Sequence, residues 1–182
     1  MATLPKTKTV TYEEWLRMPE SREEVVNGEI RPMASPVWDH SEIVENIRDL
    51  IVPQIDRRDV RVKIAQFDLV IRRDPLVTRI PDLAMFKMAT LVQKDGRIHS
   101  APQLVVEVLS PSNTRREREE KLEDYAELGV PEGWVFSPEA RTVEVLYLEG
   151  GRLVSVQVLA KGILIPRDFP DVKVDIAKVW PE

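Results

Sequence analysis

Apolar residues recur at two different spacings along the chain, and the two spacings predict different elements. In DHSEIVENIRDLIVPQI, apolar residues return every three or four positions, which predicts an amphipathic helix beginning near His40. From residue 60 the period changes to two, because Val60, Val62 and Ile64 alternate with basic side chains. The stretch DVRVKIAQF therefore predicts a strand, and DLVIRR, TRIPDLAMFK and APQLVVEVL predict further ones.

Two capping boxes indicate where other helices begin. Thr11 with Glu14, in TYEE, predicts a short helix that runs to about Met18. Thr114 with Glu117 predicts a second helix directly after the APQLVVEVL strand. Each pair places an acceptor side chain where the first backbone N–H groups of a helix lack partners.

Turn signals supply the remaining boundaries. Gly129 is expected to end the second capped helix, and the dipeptide Asn27-Gly28 between two apolar runs predicts a β-hairpin. Residues 133–159 read as three strands joined by turns that contain proline and glycine. Without a repeat or a linker, these patterns predict one α/β (α+β) domain over residues 1–182. Its mixed central sheet would be flanked by helices, with a helix and a hairpin at the N-terminus.

Composition narrows the class of protein. The 182 residues contain no cysteine, which excludes disulfides and thiolate metal sites. The chain has no apolar run of the roughly 18 residues that a membrane span needs. The lysine-bearing N-terminus also lacks the apolar core of a secretory signal. We therefore expect no membrane partner and a cytoplasmic location.

The net charge of −5 is unevenly distributed. Residues 57–97 contain ten basic and five acidic side chains, a local balance of +5, so the rest of the chain carries −10. A basic middle region could bind a polyanion such as nucleic acid. The alternative is that these lysines and arginines lie on solvated strand edges, where they discourage aggregation.

Two carboxylates occur where sheets usually have apolar residues. In APQLVVEVLSPSN, Glu107 lies among six apolar residues, and a strand of this type is usually buried on both faces. Asp82 occurs in RIPDLAMF, and if the two strands are neighbours the carboxylates could converge and hold a hard cation such as Mg²⁺. Each residue also has a structural alternative. Asp82 could cap a backbone N–H at a turn, and Glu107 could form a buried ion pair with an arginine.

Lys121 lies in the helix that follows the Glu107 strand, on the same helical face as Tyr125. A lysine there could lean toward the strand ends and stabilise the negative charge of a phosphoryl-transfer transition state. However, RREREEKLEDYAEL is a strongly charged helix. The alternative for Lys121 is therefore a side chain that faces water.

Taken together, these segments resemble a family of nucleases. The stretches TYEEWLRMPES, VVNGEI, DHSEIV, RIPD, VVEVLSPS and KLEDYAELGVPEGW occur in the order found in the Uma-type family of the PD-(D/E)XK nuclease superfamily. The similarity runs from about residue 10 to residue 148. It implies a restriction-endonuclease-like fold.

The resemblance also implies roles for individual residues. Asp82 takes the place of the aspartate in the PD motif, and Glu107 takes the acidic position of E-x-K, both as metal ligands. Leu109 stands where the superfamily has its lysine, and Lys121 on the following helix would take over that role. His40 matches a position where the family often carries histidine. It would either line the catalytic site or have no chemical role.

The implied activity is Mg²⁺- or Mn²⁺-dependent hydrolysis of DNA phosphodiester bonds, with the metal held by Asp82, Glu107 and a backbone carbonyl near Val108. The sequence does not choose among three candidates for a further carboxylate, namely Glu42, Glu45 and Asp68. The implied partners are DNA and a second copy of the chain in a homodimer or higher homo-oligomer. The alternatives are a non-catalytic DNA- or protein-binding module on a nuclease fold, or an enzyme that acts on another phosphoester.

Overall fold

The structure is a computed structural model, and it describes residues 9–19, 21–65, 67–111 and 114–181. The α-helices in these residues are α1 (Tyr12–Trp15), α2 (Trp38–Ile51) and α3 (Arg115–Leu128), and short 3₁₀ helices occur at Val52–Gln54 and Ile176–Lys178. The strands are β1 (Glu23–Val26), β2 (Glu29–Pro32), β3 (Val60–Ile64), β4 (Leu69–Arg73), β5 (Leu76–Arg79), β6 (Leu83–Lys87), β7 (Gln93–Lys94), β8 (Arg97–Ile98), β9 (Leu104–Val108), β10 (Glu132–Ser137), β11 (Thr142–Glu149), β12 (Arg152–Leu159), β13 (Ile163–Leu164) and β14 (Val174–Asp175). Some residues of the motifs quoted above lie outside the described residues, namely Glu20, Gln66, Ser112 and Asn113.

The central sheet contains the strand that carries Glu107. Its strand order is β12-β11-β10-β9-β6-β3, with β9 parallel to β10 and the other neighbouring pairs antiparallel. The apolar residues of β9 are buried on both faces, as its sequence predicts, because α2 packs on one face of the sheet and α3 on the other. The fold is mixed α+β, and the fold-class prediction is confirmed.

Helix α2 covers one face of this sheet. Ile43, Ile47 and Ile51 recur at helical spacing, are fully buried, and belong to one apolar cluster with Trp134 and Phe136 of β10. Helix α2 begins two residues earlier than the apolar pattern predicts, and its N-cap residue provides no side-chain hydrogen bond. The apolar stripe thus places the helix, although its start lacks a capping side chain.

Helix α3 lies against the opposite face, where Tyr125 packs in a second cluster with Ala84 and Val105. The capping box predicted at its start is present, and Gly129 ends the helix in the left-handed conformation with φ 89°. These two boundaries fix where Lys121 lies relative to β9.

A second six-stranded sheet, in the order β2-β1-β5-β4-β8-β7, joins the first through the chain between β5 and β6. The sequence predicted one strand in TRIPDLAMFK, but the structure divides it between the two sheets. Pro81 lies at the division, where its missing N–H cannot contribute to a strand ladder. Asp82 follows directly, so the crossing between sheets places this carboxylate at the start of β6.

The N-terminal elements are largely as predicted. Asn27 and Gly28 both have positive φ and form the hairpin turn between β1 and β2. The capping box at Thr11 is present, but α1 is shorter than predicted. The N–H groups of Arg17 and Met18 bond to carbonyls three residues back, so the chain tightens into a turn.

Two short hairpins, β7–β8 and β13–β14, were not predicted from the sequence. Their strands have two residues each, too short for an alternating pattern to be recognised. Over the described residues, the structure contains no helix with the length and apolarity needed to cross a membrane.

Candidate active site

A cavity of about 510 Å³ lies where the two sheets meet α3 and the start of α2. Its walls include all four residues that the sequence suggested as a site, namely His40, Asp82, Glu107 and Lys121. These residues come from α2, from the crossing between the sheets, from β9 and from α3. The fold thus brings together groups that are widely separated in the sequence.

Asp82 and Glu107 lie level with each other on neighbouring strands. The antiparallel register of β6 with β9 pairs Leu83 with Val106, so the residues next to this pair are the two carboxylates. One oxygen of Asp82, Oδ2, accepts the backbone N–H of Val108 at 2.8 Å. This bond is the backbone-capping role considered as an alternative for Asp82, and it leaves Oδ1 facing the cavity side chains.

His40 contacts that second oxygen. Its Nε2 lies 3.0 Å from Asp82 Oδ1, close enough for an N–H to donate to the carboxylate. Burial alone would lower the pKa of His40, but the hydrogen bond to Asp82 and the charges of Asp82 and Glu107 outweigh burial and raise that pKa. His40 therefore favours the imidazolium form more than an ordinary histidine does.

The Glu107 side chain is largely buried, with 13% of its surface exposed, and it has two hydrogen-bond partners. Lys121 Nζ lies 3.1 Å from Oε2 and 3.3 Å from Oε1, and the Tyr125 hydroxyl donates a hydrogen bond to Oε1. Burial raises the pKa of Glu107 to about 7; Lys121 acts against this shift, while Asp82 and Glu24 add to it. The ion-pair partner is thus a lysine instead of the arginine considered from the sequence.

Lys121 does not face water. Its side chain is 19% exposed, and Nζ lies between Glu107 and Glu24, 3.3 Å from Glu24 Oε1. Burial would lower the pKa of Lys121, but the charges of Glu107, Glu24 and Asp82 outweigh burial and raise it. Lys121 therefore stays an ammonium group and cannot serve as a proton acceptor near neutral pH.

Glu24, on β1, is a site residue that the sequence reasoning missed. It is 5% exposed, and its Oε1 accepts the backbone N–H of Ile80 at 3.0 Å. Arg79 Nη1 donates to Oε2 at 2.7 Å, and Arg79 Nε also donates to Asp124 of α3 at 2.6 Å. Burial would raise the pKa of Glu24, but the charges of Lys121 and Arg79 and the Ile80 N–H lower it.

The sequence did contain a weak signal for Glu24. It has the same strand parity as Val26 in the predicted hairpin, so a buried Val26 implies a buried Glu24 on the same face. The three carboxylates proposed from the sequence lie elsewhere. Glu45 and Asp68 line a larger cavity of about 730 Å³ whose walls also include His40 and Asp82, and Glu42 lines neither cavity.

The residues present fit a divalent cation held by two carboxylates. Residues 9–19, 21–65, 67–111 and 114–181 contain no preformed group of three or more His, Cys, Asp or Glu side chains suited to a metal. However, Mg²⁺ commonly uses only one or two carboxylates, together with water and substrate oxygens. The pKa of Glu107 is raised mainly by burial, and the charges of Asp82 and Glu24 add to this; a cation held beside both carboxylates would favour the ionised form.

The basic region of residues 57–97 is extensively ion-paired. At least six of its ten basic side chains form salt bridges with acidic residues, namely Arg58, Arg72, Arg73, Arg79, Lys87 and Arg97. Other cations line the 510 Å³ cavity, among them Arg22, Arg31 and Arg118, of which Arg31 pairs with Glu120 and Arg118 with Glu144. A polyanion bound at this cavity would therefore meet basic residues outside the segment that the charge count singled out.

Comparison with known proteins identifies the family. The Uma2 family, described as "Putative restriction endonuclease", matches residues 10–177. The chain belongs to the Uma2 family. The match extends beyond the segment of resemblance and includes β1, β9, α3 and the C-terminal strands.

A solved structure has the same fold as this Uma2 chain. It is described as a "putative nuclease belonging to DUF820" from Anabaena variabilis ATCC 29413, and it superposes with a TM-score of 0.77 at 19% sequence identity. The alignment covers 93% of this chain and 97% of the other. No curated protein matches the sequence.

Leu109 stands where the resemblance to PD-(D/E)XK nucleases places a lysine. Its backbone N–H bonds to the Phe136 carbonyl at 2.9 Å, and its apolar side chain lines the cavity. The ammonium group beside Glu107 comes instead from Lys121, one element later in the chain.

Proposed function

We propose that this chain is a divalent-metal-dependent endonuclease that hydrolyses DNA phosphodiester bonds. The observation that carries the proposal is the meeting of Asp82, Glu107, Lys121 and His40 in one cavity, with the two carboxylates side by side where β6 pairs with β9. The chain belongs to a family that is described as "Putative restriction endonuclease", and this membership supports the same activity. A cytoplasmic location and a homodimer or higher homo-oligomer remain predictions.

Asp82 and Glu107 would hold Mg²⁺ or Mn²⁺, which when bound supplies a Lewis acid for the attacking water and the scissile phosphate. The Val108 N–H orients Asp82, and the Tyr125 hydroxyl orients Glu107. These hydrogen bonds leave the carboxylates little rotational freedom, which favours a fixed ligand geometry.

Lys121 would stabilise negative charge at the phosphate. Its raised pKa keeps Nζ protonated, so it contributes a fixed positive charge and accepts no proton from water. His40 would hold a proton on the Asp82 side of the site, where its pKa is also raised. The Tyr125 hydroxyl stays protonated as well, because burial and the charge of Glu107 raise its pKa well above the ordinary value.

The second candidate function is a non-catalytic DNA- or protein-binding module. The observation that favours it is the position of Lys121 Nζ between Glu107 and Glu24, since a structural ion pair would account for this arrangement without chemistry. The two candidates differ in whether Asp82 and Glu107 are needed for a reaction.

Plasmid nicking and linearisation in Mg²⁺ or Mn²⁺ tests the choice, with Asp82→Asn and Glu107→Gln beside the wild type. The matched control is Glu123→Gln, which removes an exposed carboxylate from α3. The endonuclease proposal expects cleavage by the wild type and the control, and a loss of at least roughly 100-fold in both site variants. Folded wild type that leaves DNA intact, and that shows no Mn²⁺ binding by calorimetry, would favour the binding module.

A further inference from the structure

Trp38 is far more exposed than the other tryptophans of the chain. Its exposed fraction is 76%, against 8% for Trp15 and 1% for Trp134, while Trp180 packs edge-on against Phe136. Among the described residues, the Trp38 indole has no hydrogen-bond partner, no aromatic neighbour and no cation over its ring. Tryptophan usually buries most of its large surface, so Trp38 contributes little to the stability of this fold.

Trp38 is next in the chain to residues that line the candidate active site, although it lines none of the three cavities itself. It is the first residue of α2, and the preceding Val37 lines the 510 Å³ cavity while being 58% exposed itself. Two residues later in α2, His40 lies within 3.0 Å of Asp82. A nucleotide next to a phosphate in the cavity would thus come close to the start of α2.

The rim of the candidate active site carries two arginines. A groove of about 440 Å³ shares Val37, His40 and Arg118 with the main cavity and extends to Arg115, whose side chain is 90% exposed. Arg115 is ion-paired with Glu119 and Arg118 with Glu144, and Asp39 and Glu139 also line the groove, so a bound phosphate would compete with these carboxylates. No side chain caps the first N–H groups of α2. Cationic groups that follow a phosphate chain, combined with an exposed aromatic ring, are the arrangement by which proteins bind single-stranded nucleic acid.

We propose that Trp38 is a stacking platform for an unpaired nucleobase, and that the site accordingly prefers single-stranded or locally unpaired DNA. This inference rests on the proposed function, because it names the substrate class of the same site. In a paired duplex, each base already stacks on its neighbours. Stacking on Trp38 therefore requires a base that is unpaired or has left the helix.

The test is binding of a fluorescently labelled thymidine oligonucleotide and of a blunt duplex of the same length, in EDTA and separately in Ca²⁺. The variants are Trp38→Ala, Trp38→Phe and a control, Val158→Ala, which removes a side chain that is 62% exposed on β12. Loss of one stacking aromatic is expected to weaken single-strand binding by roughly 5- to 150-fold in Trp38→Ala. Trp38→Phe should retain part of the affinity, and Val158→Ala should match the wild type.

A second readout is intrinsic fluorescence, because the other three tryptophans are packed. Unlabelled thymidine oligonucleotide should quench the emission of the wild type, and Trp38→Phe should lose most of this quenching. Equal single-strand affinity of Trp38→Ala and the wild type would overturn the inference. So would conversion of a dimer to a monomer by Trp38→Ala in light scattering, since Trp38 would then be a contact between copies.

Failure of this inference can be separated from failure of the proposed function. If the wild type cleaves plasmid but binds the oligonucleotide no better than Trp38→Ala does, only the stacking proposal fails. If it neither cleaves plasmid nor binds either DNA in EDTA or Ca²⁺, both proposals fail together.

Discussion

Replacing Glu107 by glutamine should make the protein more stable above neutral pH. The pKa of Glu107 is raised from an ordinary 4.5 to about 7, mainly by burial. This difference corresponds to roughly 3 kcal/mol against the ionised form in the folded state, at about 1.4 kcal/mol per pKa unit. Glutamine has nearly the same shape, and its side-chain oxygen can still accept hydrogen bonds from Tyr125 and Lys121.

The sign of the pH dependence follows from the raised pKa of Glu107. The folded state favours the protonated Glu107 side chain. The stability that this side chain contributes is therefore fully present below pH 4.5. That contribution is lost as the pH rises through about 7. The advantage of Glu107→Gln over the wild type should therefore be about 3 kcal/mol at pH 8 and less than about 1 kcal/mol at pH 5.

The assay is urea unfolding of the wild type, Glu107→Gln and the surface control Glu123→Gln at pH 5 and pH 8. The gain in the free energy of unfolding should appear for Glu107→Gln alone, and it should be much larger at pH 8 than at pH 5. If Glu107→Gln is equally stable or less stable than the wild type at pH 8, Lys121 and Tyr125 fully compensate the carboxylate. The raised pKa would then no longer be an argument for a cation site.

Added Mn²⁺ should raise the free energy of unfolding of the wild type, and Glu107→Gln should show little of this increase.

The remaining predictions concern the groups that hold the site in place. Lys121→Met should lower the free energy of unfolding by roughly 3–5 kcal/mol, because Glu107 and Glu24 would face each other without a cation. The measurement is thermal or urea denaturation, with Lys161→Met at an exposed lysine as the control. An equal loss of stability in the two variants would contradict this reasoning. Gly129→Ala should cost roughly 1–2 kcal/mol, since φ is 89° and nothing lies within 4 Å of the added Cβ, so the cost is conformational. Gly129→Asn should recover part of that loss, and equal stability of both variants with the wild type would refute the explanation.

The parts of the site that could be predicted depend on local pattern. Glu107 was found because one carboxylate interrupts a strand of apolar residues, and Asp82 because it follows Pro81 in a second apolar stretch. Both signals lie within a few residues of sequence. The capping boxes of α1 and α3 were found for the same reason, since a cap is a contact between residues three positions apart.

The parts that were missed depend on distant contacts. Glu24 lies in a strand of four residues, too short for its alternation to be distinctive, and its partner Arg79 is 55 residues away. The basic region was ambiguous for a similar reason, because a sum of charges cannot show that Arg72 bonds to Glu127. The second sheet was missed because the break at Pro81 changes the strand's neighbours without changing its apolar pattern.

The network around Glu24 explains how the site can retain an ammonium group although Leu109 stands at the usual lysine position. Stabilisation of charge depends on where the ammonium lies and not on which element carries it, so a lysine from α3 can replace one from β9. A long flexible side chain from a helix would be poorly fixed if Glu107 alone held it. Glu24 supplies the second contact, and the Ile80 N–H and Arg79 hold Glu24 in turn. In the proposed reaction, the N-terminal hairpin is therefore part of the machinery that positions Lys121.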